Sequence, residues 1–337
     1  MLGIVLDRGP WDVRRTACVD ATAWPTPLVS KYREASGLDG YTVGFLTAGG
    51  EHADRLTWGG LPKAVDSNEA REDGVGEYDA DVTVSGFLRN EFSQFRQAGG
   101  KVVFVFGGAA NQPIEATVSD VSAIVGLYTK AIKNYGMTHL EFDFEGGFLA
   151  DSAAVDRHVA AIRQVLQAHP QLKVSYCPPG DAGSAAGLNT GGAALLGKVV
   201  LAGVIPSLVN IMAMSFSPGS PGSLVEASTA ALDAVHAQFA KILPLWDPKK
   251  LWRRLGVTPM FGKGFTGETF TLDDMAKLRQ WATERDLGCL SGWSADRDSL
   301  RERQGSDRPD PNGAVWDTGI GQDPFDFCKI IAGYKTA

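Results

Sequence analysis

The sequence predicts an α/β fold: a single (β/α)8 TIM barrel without an inserted α+β domain. Three observations carry that reading. The chain has 337 residues, too long for a typical single-core sandwich and too short for two generous domains, which is the size of one barrel unit. Short apolar runs bounded by turn residues follow one another along it, eight in all. Most are followed by a segment in which apolar residues recur three or four apart, and strands alternating with helices in this way make a parallel sheet covered by helices.

In chain order the strands are expected at residues 16–22, 41–47, 101–106, 139–144, 173–177, 208–214, 255–261 and 288–293. Their mixture of apolar and small residues suits a sheet buried on both faces. Residues 121–134, 153–168, 224–242 and 272–285 have helical spacing and read as the outer ring. A last helix over 324–334 would close the barrel against the first strand. Asp151 and Thr271 stand where a short polar side chain accepts from the free amides of a helix's first turn. Residues 1–14 read as an N-terminal extension and 301–313, charged and rich in Asp, Pro and Gly, as a loop after strand eight. The connector after strand seven is too short for an inserted domain, so one catalytic domain is expected to span 1–337.

Composition narrows the ligand. With 44% hydrophobic and 21% charged residues the chain can build a sizeable core and has no disorder-like bias. A net charge of -7 and the absence of a Lys/Arg-rich run exclude the electrostatic footprint of a nucleic-acid binder. A neutral polymer or small molecule is the better partner. No stretch approaches the ~20 apolar residues that span a bilayer, and the apolar start at 2–6 is too short for a signal sequence, so no membrane partner is expected and the chain reads as intracellular or as a trimmed mature form. Cys18, Cys177, Cys289 and Cys328 lie far apart with no C-x-x-C spacing and read as buried free thiols. No metal and no cofactor are expected, and a monomer is.

The strongest local signal is His139-Leu140-Glu141-Phe142-Asp143-Phe144-Glu145-Gly146-Gly147. Side chains on a strand point to opposite faces in turn, so Glu141, Asp143 and Glu145 share one face and Leu140, Phe142 and Phe144 the other. In a barrel the apolar set must lie under the helices, which sends three carboxylates into the interior, climbing towards the C-terminal rim where barrel active sites are built. The alternative, a solvated acidic face on an edge strand, does not suit the fourth of eight strands. Carboxylates this close repel, so at least one should hold its proton near neutral pH, as a general acid must. A metal site is the weaker reading, because acids stacked along one strand do not surround an ion and His139 lies at the far end.

At these residues the sequence resembles glycoside hydrolase family 18, in particular its bacterial chitinase branch with a compact catalytic domain. The family's strand-four pattern D-x-x-D-x-D-x-E falls on Thr138, Glu141, Asp143 and Glu145; the last two match, the first is lost and the second is longer by a methylene. Further similar stretches are Val19-Asp20-Ala21-Thr22, Phe106-Gly107-Gly108-Ala109, Ser175-Tyr176, Val209-Asn210-Ile211-Met212-Ala213-Met214, Gly256-Val257-Thr258-Pro259-Met260, Ser294-Ala295-Asp296-Arg297-Asp298 and Thr318-Gly319-Ile320-Gly321-Gln322. The resemblance implies hydrolysis of β-linked N-acetylglucosamine polymers with retention, by a substrate-assisted route that departs from the two-carboxylate scheme. Glu145 would protonate the glycosidic oxygen. Asp143 would orient the acetamido group that attacks the anomeric carbon, and Glu141, deeper, would share a proton with Asp143. The resemblance also implies an extracellular protein.

Other site residues follow from it, each against a structural alternative. Trp293, at the end of strand eight, would floor the sugar beside the cleaved bond. Tyr176 would bond the acetamido group or pack in the core, and Met212 and Met214 would line the cleft. Gly107 and Gly108 would let the backbone approach the substrate or simply turn the chain. Trp58 would stack on a more distant sugar or serve packing. His52, His158, His169 and His236 read as surface residues. Ser215 is the main departure: many relatives carry Asp there, so restoring it by Ser215→Asp is expected to raise turnover. Three readings stay open: a chitinase, a chitinase-like sugar-binding protein with little turnover, and an endo-β-N-acetylglucosaminidase or transglycosylase on the same scaffold.

Overall fold

The computed structural model describes residues 5–23, 26–49, 52–60, 86–183, 186–217, 222–300 and 316–335. The expected loop at 301–313 lies outside the described residues, as do residues 1–4 of the N-terminal extension.

Eight parallel strands form the barrel wall: β1 (Ala17–Asp20), β2 (Gly40–Gly49), β3 (Lys101–Gly107), β4 (His139–Asp143), β5 (Lys173–Tyr176), β6 (Leu208–Ala213), β7 (Leu255–Pro259) and β8 (Cys289–Leu290). Each pairs with its sequence neighbour, Phe104 opposite Leu140 and Phe142 opposite Tyr176 for example. The wall closes between its ends, where the Thr16 amide donates to the Leu290 carbonyl at 3.0 Å and the Cys18 amide to Gly292 at 2.9 Å. All eight expected strands are present, five of them one to three residues shorter than their apolar runs, while β3 is one residue longer and β8 is cut to two residues. The longest, β2, outruns its expected span and folds back on itself: an antiparallel strand, His52–Trp58, pairs with its upper half.

Helices α1 (Val29–Ser36), α2 (Arg89–Gln97), α3 (Val121–Tyr135), α4 (Ser152–Ala168), α5 (Thr190–Leu201), α6 (Leu224–Ile242), α7 (Leu272–Glu284) and α8 (Asp326–Ala332) follow the strands in turn. Their ends are set locally. The Asp151 side chain accepts from the Ala154 amide and opens α4, and Thr271 exchanges bonds with Asp274 in a reciprocal cap that opens α7. Gly136, at φ 57°, ends α3 in the left-handed conformation that glycine adopts freely. The expected 324–334 helix is realised as the shorter α8, and Arg15 at the foot of β1 donates to the Ala332 carbonyl just beyond the barrel wall.

Three features were not expected. The chain before β1 is built into the fold: Leu6–Asp7 pairs with Val204–Ile205, and Trp11 and Val13 pack with Val103, Leu208 and Cys289 as a plug under the barrel. After β7 comes a small hairpin, Gly262–Lys263 paired with Thr269–Phe270. Helices α1, α2 and α5 lie outside the stretches expected to be helical. Among the described residues no helix is long and apolar enough to cross a membrane.

Candidate active site

Strand β4 is buried along its whole length, and its alternation is realised as drawn from the sequence. Phe142 faces outward, its ring 5.9 Å from Tyr128 and 4.6 Å from His158, under α3 and α4. Glu141, Asp143 and Glu145 face inward and line one cavity of about 300 Å³ at the C-terminal mouth of the barrel, at the lower end of the range of small-molecule sites. Gly107, Gly108, Met212, Met214 and Trp293 line it too. Thr138 lies at the opposite, exposed end of the strand, its hydroxyl 2.9 Å from Nδ1 of His139, so the missing acid there is remote from the mouth.

The three acids have graded surroundings. Glu141 is deepest: its Oε2 accepts from Ser175 Oγ at 2.9 Å and from Asn210 Nδ2 at 3.2 Å, and Asn210 is held in turn by the Thr258 hydroxyl at 3.1 Å. Burial pushes the Glu141 carboxyl up to about 7, against the pull of those two donors. Asp143, 9% exposed, is pushed well above the usual carboxylate range, first by burial and then by repulsion from Glu145 and Glu141. Its Oδ1 is buried and has no hydrogen-bond partner among the described residues. Glu145, half-buried at the rim, is also raised, by burial. Both donors reach Oε2 of Glu141, and no direct hydrogen bond joins Glu141 to Asp143 among the described residues. A buried carboxylate oxygen without a donor is costly, and a ligand amide in the cavity would supply one.

The paired glycines serve the site through Asp143. A Cβ on Gly107 would lie 2.1 Å from the Asp143 carbonyl oxygen, one on Gly108 2.7 Å from the Phe45 ring, and both residues have positive φ, 104° and 90°. The Gly108 amide donates to that same Asp143 carbonyl at 2.8 Å. They are there so that β3 can grip the end of β4 closely. Trp293 is half-buried, packs against Phe45 with ring centroids 5.7 Å apart, and leaves part of its indole to the cavity.

Four expectations need correction. Trp58 is fully buried, and its indole N–H donates to the Tyr135 hydroxyl at 3.0 Å, so it packs behind the wall with Phe92 and Phe104 and meets no sugar. Tyr176 points outward, its hydroxyl 2.9 Å from Nε2 of His158. The inward residues here are Ser175 of β5, on Glu141, and Cys177 just after the strand, in the cavity wall. His158 is not a surface residue but fully buried, bridging Tyr176 and Glu115. Ser215 is exposed at φ 50°, outside the residues that line the cavity, with its amide donating to Glu268 at 3.2 Å.

Sequence reasoning missed Cys18, Thr42, Phe45, Asn111, Thr258 and Phe265, all in the cavity wall. Period-two counting from Ser175 would have placed Cys177 inward; nothing in the local pattern marks Phe265. The described residues contain no cluster of His, Cys, Asp and Glu able to hold a metal ion.

The comparisons with known proteins agree with this geometry. No protein-family model matches the chain. Over 222 residues, 62% of this chain, it is 28% identical to a probable bifunctional chitinase/lysozyme of Escherichia coli (strain K12), covering 24% of that protein. It is likewise 28% identical over 222 residues to endochitinase 11 of Metarhizium anisopliae, covering 42% of it. The chain therefore spans less than half the length of either curated relative. Among solved structures, catalytic-site mutants of active domain 2 of the thermostable chitinase from Pyrococcus furiosus, complexed with chito-oligosaccharides, superpose with a TM-score of 0.79 at 24% identity, over 98% of this chain and 99% of that one.

Proposed function

We propose that this chain, similar to glycoside hydrolase family 18 in fold and in the last two acids of its fourth-strand pattern, Asp143 and Glu145, cleaves β-1,4-linked N-acetylglucosamine chains. The observation that carries the reading is the inward face of β4, where Glu145 at the rim and Asp143 beneath it are both raised in pKa and open on one cavity. A carboxyl raised by burial keeps its proton to higher pH than a free one and is the better placed to donate it.

Glu145 gives its proton to the glycosidic oxygen as the bond to the anomeric carbon breaks. The acetamido carbonyl oxygen of the same sugar forms the new bond to that carbon. Asp143, whose Oδ1 lacks a donor, accepts from the acetamido N–H and, in its ionised form, offsets the positive charge that develops there. Water then opens the cyclic intermediate, with Glu145 taking its proton. Trp293 lies under the apolar face of the sugar. Glu141, with Ser175 and Asn210, sets the field in which Asp143 titrates.

The test is incubation with chitin oligomers of several lengths, resolving products by mass and anomeric form. Shorter oligomers of β configuration are expected, and cello-oligomers, which lack the acetamido group, should be left intact. Hydrolysis of cello-oligomers at a comparable rate would rule out substrate assistance. A sugar-binding protein without turnover, the second reading, would bind chitin oligomers and release nothing. Chito-oligosaccharides are thus the proposed partners, and export of the protein is proposed by its resemblance to secreted chitinases.

A further inference from the structure

At the cavity mouth one aromatic ring is left open by the described residues: Phe265, 71% exposed, at the tip of the hairpin between β7 and α7. It lines the same cavity as Met214 and Trp293. A lone exposed apolar side chain ordinarily needs no explanation, but the hairpin under this one is fastened from both sides. The Lys263 amide donates to the Thr318 carbonyl at 2.8 Å, and the Arg297 guanidinium donates to the Lys263 carbonyl at 2.8 Å. Across the hairpin, Glu268 accepts from the Thr266 amide at 3.1 Å and from the Ser215 amide at 3.2 Å, which ties the tip to the end of β6.

Two glycines make that fastening possible. A Cβ on Gly262, at φ 72°, would lie 2.0 Å from the Thr318 carbonyl oxygen, and one on Gly264 2.0 Å from Oε1 of Glu268. The backbone that presents Phe265 is therefore held before any ligand arrives, so a ligand stacking there has little chain freedom to remove. An exposed ring on a fixed backbone, continuous with a cavity that already contains Trp293, is a platform for a flat, partly apolar group. The apolar face of a pyranose ring has that chemistry.

We propose that Phe265, with Met214 beside it, forms a second sugar-binding subsite that holds another pyranose of the chain whose scissile unit lies over Trp293. The proposal rests on reading the cleft as one for N-acetylglucosamine oligomers, and makes chain length the quantity that Phe265 controls. It also gives Glu268 a role: a positioning residue for the hairpin, acting through the Ser215 amide.

The experiment measures calorimetric affinity for chitin oligomers of two, four and six sugars on a Glu145→Gln background, with and without Phe265→Ala. Phe265→Ala should weaken the four- and six-sugar complexes on the order of tenfold, the scale of one well-placed aromatic contact, and the two-sugar complex less than about twofold. Phe265→Trp on the same background should retain the parent affinity, and both variants should keep the parent melting temperature because the ring is exposed. Unchanged affinity at every length, or an equal loss at every length, overturns the subsite. If the Glu145→Gln protein binds none of the oligomers, the reading of the cleft fails and the subsite with it, which separates that outcome from failure of the subsite alone.

Discussion

Strand β4 has a carboxylate site on each side of it, and the two are built on opposite principles. Outside the barrel, Glu115 is fully buried, yet its Oε1 accepts from the Tyr128 hydroxyl and meets Nδ1 of His158 at 2.8 Å, and His158 reaches on to Tyr176. Inside, Glu141 and Asp143 are nearly as deep, but among the described residues Glu141 is met by a hydroxyl and an amide, Oδ1 of Asp143 has no partner, and no cation adjoins either. A buried carboxylate beside a basic group is part of the structure; carboxylates crowded together without one hold protons and are poised to give them up. Removing a residue from the outer site should therefore cost stability, and from the inner site chemistry.

The largest expected effect is on the inner side. Glu145→Gln keeps the shape and removes the proton, and turnover on chitin oligomers should fall by roughly 10²- to 10⁴-fold with the unfolding midpoint unchanged. Near-parental turnover would remove Glu145 from the mechanism. On the outer side, His158→Ala leaves the Glu115 carboxylate and the Tyr176 hydroxyl buried without their shared partner. Unfolding free energy should drop by about 3 to 5 kcal/mol, measured in denaturant, while the folded fraction retains its KM. A stable variant with a changed KM would show that the outer site reaches into the cleft.

The pH dependence of stability tests the contrast from another direction. Burial raises the Glu141 carboxyl from 4.5 to about 7, so between those values the native state binds more protons than the unfolded chain. Stability from this group is then complete at low pH and declines as pH rises towards about 7, by about 3 kcal/mol in all. Relative to the parent, Glu141→Gln should gain that amount over the same interval, in denaturant titrations at several pH values. Parallel pH profiles for the two proteins would mean that Glu141 ionises in the native state as freely as in the unfolded one.

How much of this was legible depended on whether a signal was local. The alternation from His139 to Glu145 is complete within one strand, and it gave the direction of every side chain on β4. Eight apolar runs in succession gave the barrel for the same reason. Tyr176 was placed on the wrong face because its position was read by likeness and not by counting from Ser175, which bonds Glu141. Trp58 and His158 sit in sequence contexts that resemble loop and surface helix; their burial comes from the antiparallel strand on β2 and from α3 lying over α4, contacts between segments far apart in sequence. Phe265 was invisible because only the hairpin's attachments to Thr318, Arg297 and Ser215 bring it to the cavity.

The smallest expected effect is at Ser215, where the sequence departs from the family pattern it resembles and where an Asp was expected to be a gain. The geometry argues otherwise. Ser215 is exposed, lies beyond the residues that line the cavity, and has the left-handed φ of 50°, a conformation Asp tolerates. Its amide already donates to a carboxylate, Oε1 of Glu268 at 3.2 Å. A second carboxylate on the same residue would stand close to the first and repel it, loosening the hairpin instead of gripping a sugar. Ser215→Asp should therefore fold normally and change turnover on the shortest cleaved oligomers by less than about twofold, since an exposed like-charge contact is worth only a few tenths of a kcal/mol. On longer oligomers, KM should rise if the hairpin positions Phe265. A tenfold gain in turnover instead would mean that the new side chain reaches the bound sugar, and that the end of β6 closes over the cleft when substrate is present.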